Sequence, residues 1–210
     1  LFIISFFFYT FVHFSNLKRK ILNYKNLFQR IVSLLSAPAK AWDGIKEEGI
    51  TKDIQSEFVY PLIGLCGLSE FIGSLIGRDL SALMFQVALT RCCALAVALF
   101  GGFFLSAYIL GKLGSRWLKM TDAYRRMLIF VGYSMVVIFV LNIVSSLFSI
   151  VILHWILQIY TIVVVFEGVR RWLEVPERRQ VLFTLFATIT ILVCPMFIEY
   201  VFNELTVFLN

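Results

Sequence analysis

Five polar side chains stand inside long apolar runs: Glu70, Arg91, Asn142, Gln158 and Glu199. An ionisable or amide group surrounded by hydrocarbon is costly, so it marks a functional candidate or a bond between helices. Glu70 lies seven residues, about 10 Å of helix, from the end of its run. Arg91 lies eleven residues past Leu80, where the next run opens. If both are embedded, they stand at comparable depth and can pair. Together with His154 and Gln86, the five residues define a candidate polar layer. Three readings follow: a site for an ion, small molecule or lipid headgroup; hydrogen bonds and an ion pair that hold a bundle together; or Arg91 snorkelling to the interface.

No other constellation offers chemistry. Cys66, Cys92, Cys93 and Cys194 all fall in apolar runs without metal or redox spacing, and read as small buried hydrophobes. His13 and His154 are the only histidines. Phosphate loops, zinc-protease helices and nucleophile elbows are missing from the sequence. The sequence therefore predicts no enzyme, metal or cofactor.

The surrounding elements are membrane spans. Of 210 residues, 60% are hydrophobic and 15% charged, with mean hydropathy +0.88. Soluble domains carry about 25% charge, and one of this length cannot hide so much apolar surface. Runs at 58–77, 83–111, 127–147, 150–169 and 181–202 each reach the roughly 20 residues that cross a ~30 Å hydrocarbon core as helix. Gly73-x-x-x-Gly77 in the first has the spacing for close helix approach, within the bundle or between two copies.

Nineteen Lys and Arg stand against thirteen Asp and Glu. Eight of these basic residues precede the first run, five separate the second from the third, and four separate the fourth from the fifth. Only Arg78 falls on the opposite side. The positive-inside rule then places the amino end in the cytoplasm and the carboxyl end outside. The net charge of +6 is expected to meet anionic headgroups, not nucleic acid.

Before the spans, Leu27, Phe28, Ile31, Leu34 and Leu35 fall on one helical stripe, with Lys25 and Arg30 off it. Such a helix is expected to lie in the membrane interface. Pro38 ends it, and Trp42 is expected in the headgroup layer. Residues 22–57 read as a cytoplasmic segment and 58–210 as the membrane domain. Residues 1–21 read as an upstream extension foreign to the protein, or as a short hydrophobic anchor.

Several local sequences resemble the Yip1 family, in particular its bacterial branch. Asn23-Tyr24-Lys25-Asn26-Leu27-Phe28, then Leu35-Ser36-Ala37-Pro38-Ala39-Lys40-Ala41-Trp42, is similar to the family's opening. Tyr60-Pro61 and Gly132-Tyr133-Ser134 also fit, although Met135-Val136 stand where the family often has proline. The resemblance implies a five-transmembrane-helix, all-α bundle with a cytoplasmic amino end. Eukaryotic members act in vesicle traffic with small GTPases; that role is not carried over. The sequence reading is a non-enzymatic inner-membrane scaffold or membrane-organisation factor, alone or with membrane-protein partners or as a homo-oligomer. A small transporter or channel subunit is the alternative.

Overall fold

Pro38 divides the amino-terminal segment into two helices, α1 (Tyr24–Ser36) and α2 (Pro38–Glu48). Proline has no N–H to continue α1 but suits the first turn of a new helix. The structure is a computed structural model. It describes residues 24–51, 53–76, 81–118, 122–148 and 151–208, without the side chains at 51, 151–158 and 206–208. Residues 1–21, Gly77 and Arg78 lie outside the described residues, as does the side chain of Gln158.

Gly49 stops α2 at a φ of 70°, where a β-carbon is strained. A 3-10 turn follows at Gly49–Thr51, then a π turn at Gln55–Val59 leads into α3 (Tyr60–Leu75). Pro61 accounts for the wide turn, since it cannot donate to the carbonyl four residues back and its ring crowds that carbonyl. The Ser81 side chain caps α4 (Ala82–Trp117) by accepting the Met84 N–H at 3.2 Å. Then come α5 (Ala123–Ser134), α6 (Val136–Phe148), α7 (Val151–Arg171) and α8 (Glu177–Phe208). The described residues contain helices and no strand.

Four helical stretches are long and apolar enough to cross a membrane: Gln55–Leu75, Ala82–Trp117, Ala123–Phe148 and Glu177–Leu205. The fourth run forms α7, 21 residues long. The third is interrupted at Met135, with no proline present. There φ is −74° and ψ −2°, and the N–H still reaches Val131 O at 2.9 Å. Just before the break, Gly132 admits the amino-terminal segment. A β-carbon at Gly132 would lie 2.9 Å from Ile54 and 3.0 Å from Val59.

Glycines also set the spacing around α4, the longest helix. A β-carbon at Gly102 would fall 2.5 Å from the Pro195 ring of α8, and one at Gly67 of α3 would fall 3.3 Å from Cys92 Sγ. Ser106 Oγ donates across the α4–α8 seam to Thr190 O at 3.3 Å. Small residues let the helices approach until packing and such bonds take the place of hydrophobic drive, which lipid does not supply.

Candidate functional site

Glu70 sits half-buried in α3, and its partners are serines. Ser146 Oγ of α6 donates to Oε2 at 2.6 Å, and Ser74 Oγ donates to Oε1 at 3.4 Å. The approach of α6 makes the first bond possible. A β-carbon on Gly73 would stand 2.0 Å from Ser146 O, so only glycine fits. That is packing within the bundle by the first half of the Gly73-x-x-x-Gly77 motif. Cys66 adds a second tie between these helices, its Sγ–H donating to Phe139 O at 3.3 Å.

Among the described residues, Asn142, Arg91 and Glu199 make no hydrogen bond to Glu70. Asn142 turns back on its own helix, donating to Ile138 O at 2.8 Å. Arg91 is exposed on α4 and has no carboxylate partner among the described residues. From Arg91 to Lys112 is 21 residues, about 31 Å of helix, or one hydrocarbon thickness. Arg91 therefore stands where a snorkelling side chain can reach headgroups. Glu199 lies on the exposed side of α8, within electrostatic reach of Glu70. The crevice lined by Ile45, Glu48, Gly49, Ile54, Ile129 and Tyr133 is elsewhere and offers about 10 Å³, room for about one water.

The second candidate region departs further from expectation. Trp42 does not occupy an exposed headgroup layer: it is 0% exposed. Its indole N–H donates to Val164 O of α7 at 2.9 Å. Its ring lies 5.9 Å from the Phe130 ring and 6.0 Å from that of Tyr133. A β-carbon at Gly168 would come within 2.7 Å of the Trp42 ring, so that glycine makes the slot. Burial with a satisfied N–H gains the whole apolar area of the indole. The interface requires no such fit, and here the tighter solution holds.

The expected membrane-facing stripe is likewise split. Leu27 and Leu34 are buried, Ile31 and Leu35 half-buried, while Phe28 is 66% exposed. α1 thus turns one flank into the protein and one away. Charged pairs secure the segment at one end: Arg30 with Glu48, Lys46 with Glu174, and Arg171 with Asp43 and Glu167. Tyr160, Gly168, Arg171 and Glu174 were not anticipated as partners. The Glu167–Arg171 spacing of four was the one local signal.

Lys46 holds the Glu174 carboxyl below its ordinary range, first through the hydrogen bond and then through its charge. A depressed carboxylate stabilises above its unfolded pKa and loses that contribution as pH falls through the folded value. Glu174→Gln is therefore expected to lower the melting temperature slightly at neutral pH, as exposed pairs do. The gap should close in acid below the usual carboxylate range. Melting curves of both proteins across pH check this, and a gap that persists in acid contradicts it.

No curated protein and no solved structure matches the chain. The Yip1 domain family profile matches residues 32–198, a stretch that holds the Trp42 slot, the Glu70 serines and the break at Met135. Taken with four helices fit to cross a membrane, that match over most of the chain makes this a membrane protein of the Yip1 domain family.

Proposed function

We propose that the protein is a non-enzymatic membrane scaffold or membrane-organisation factor of a bacterial inner membrane. It crosses five times, α7 included, with its amino end cytoplasmic and its carboxyl end outside. Anionic headgroups meet the basic side, and other membrane proteins or further copies of the chain are its partners. The observation that supports this reading is how Glu70 is used. Its carboxylate accepts from Ser146 of α6 and from Ser74 of its own helix, so it serves as a tie between α3 and α6.

The test is Glu70→Gln in proteoliposomes loaded with a pH dye and a potassium dye. Gln still accepts the Ser146 hydroxyl, so only a neutral bond replaces a charge-assisted one, a loss of about 1 kcal/mol. The scaffold reading expects lower thermal stability and no flux above empty vesicles from either protein. A proton or potassium leak in the wild type that Glu70→Gln abolishes would replace it with the transporter reading.

A further inference from the structure

Along α7 the amino-terminal segment finds its partners in strict order. Tyr160 Oη donates to Leu35 O at 2.7 Å, and Val164 O accepts from Trp42. Gly168 takes the Trp42 ring, Arg171 pairs with Asp43, and Glu174 pairs with Lys46. α2 therefore runs alongside the last turns of α7 in the same direction, and its charged end coincides with that of α7. From Tyr160 to Arg171 is eleven residues, about 16 Å. The Ser36–Pro38 tip thus stands about half a hydrocarbon thickness from the charged end.

α1 then returns towards that end. Arg30 reaches back to Glu48, and its guanidinium lies 4.0 Å from a β-carbon placed on Gly44. The two helices form a hairpin whose polar groups draw down to one end, Arg30 by snorkelling along α2. At the tip two of the carbonyls that α1 leaves open are supplied from within the protein. Leu35 O receives Tyr160 at the position where α1 has no further N–H to offer, and Ser33 O receives the Ala37 N–H at 2.9 Å, while Ser36 Oγ bonds back to Val32 O within the helix at 2.7 Å. A helix end in contact with water needs no such provision, whereas one in hydrocarbon does. On the outer flank Tyr24, Phe28 and Val32 form one line at four-residue spacing, exposed by 70%, 66% and 44%.

We propose that α1 and α2 form a re-entrant hairpin that enters the leaflet on the basic side tip first, setting Tyr24, Phe28 and Val32 against that leaflet's acyl chains. This deepens the membrane-organisation reading, on which it rests only for the presence of a bilayer. A wedge confined to one leaflet adds cross-section there and none opposite, which is a direct physical means of organising lipid.

The experiment measures depth, not function, so it stands apart from the flux test. The full chain, with its four cysteines replaced by alanine, is reconstituted in phosphatidylcholine–phosphatidylglycerol vesicles. Tyr24→Cys, Phe28→Cys and Val32→Cys are nitroxide-labelled one at a time. Collision with oxygen, relative to a water-soluble nickel chelate, is expected to rise from 24 to 28 to 32, about 6 Å of depth per step. A helix lying flat gives three equal values, and a helix in water gives three low ones; either result overturns the proposal. Should the cysteine-free chain fail to fold, benzoylphenylalanine at the same three positions of the otherwise unaltered chain replaces the label. Lipid adducts must then move down the acyl chain from 24 to 32.

Discussion

Trp42→Ala is expected to undo the docking of the amino-terminal hairpin and to lower stability by about 3–5 kcal/mol, the usual loss for a fully buried large aromatic. Total stabilities of ~5–15 kcal/mol make that a large fraction. The indole fills a slot that Gly168 opens, touches Phe130 and Tyr133, and bonds Val164 O. Alanine leaves a cavity whose walls belong to helices fixed by other contacts, so collapse is incomplete. Trp42→Phe keeps most of the volume and loses the bond, for about 1 kcal/mol. Thermal melting of the purified protein in detergent ranks the three: wild type, then Trp42→Phe, then Trp42→Ala far below. If Trp42→Ala melts with the wild type, the hairpin is not docked as described.

Gly73→Ala should be the second most damaging change, although it adds a single methyl group. Its β-carbon would lie 2.0 Å from Ser146 O and 2.7 Å from Ser146 C, and both are backbone atoms. Rotamers offer no escape, so α3 and α6 must separate. The Ser146–Glu70 bond opens with them. Overpacking costs ~1–3 kcal/mol, and a backbone obstacle puts this case at the upper end. Gly64 supplies the control on the same helix. Nothing stands within 4 Å of its β-carbon position, and alanine is the better helix former by about 1 kcal/mol in an isolated helix. Gly64→Ala is therefore expected to leave melting unchanged or raise it. The same exchange nine residues apart should change sign, and equal effects would contradict the packing of α3 on α6.

What was legible in the sequence follows from the range of each interaction. Apolar run length is local, so the sequence marks the runs that lie within α3, α4, α8 and the combined α5–α6 stretch, although α4 and α8 continue past their runs by up to six residues. Proline at 38 announced its own break. The interruption at Met135 carried no such sign, because Met135 and Val136 are as apolar as their neighbours. A tryptophan near a basic segment ordinarily favours an exposed place in the headgroup layer, and nothing local announces that Trp42 is buried against the protein. What overrides that preference is Gly168, 126 positions later. Glu70 was picked out by its charge, but its partner Ser146 is an unremarkable hydroxyl in a serine pair. Run length suggests that Arg91 and Glu70 can pair, but it does not reveal that Glu70 is taken by Ser146 and that Arg91 is exposed.

The passage of the chain through the bilayer is open to direct measurement with two fusion partners. Alkaline phosphatase folds only outside the reducing cytoplasm, and green fluorescent protein exported unfolded does not fluoresce there. Each is fused after Asn210 and, in separate chains, after Val175 in the connection between α7 and α8, which Arg170, Arg171, Arg178 and Arg179 flank. The account predicts phosphatase activity without fluorescence at 210, and fluorescence without phosphatase activity at 175. Fluorescence at both positions would leave α8 on one side of the membrane and contradict it.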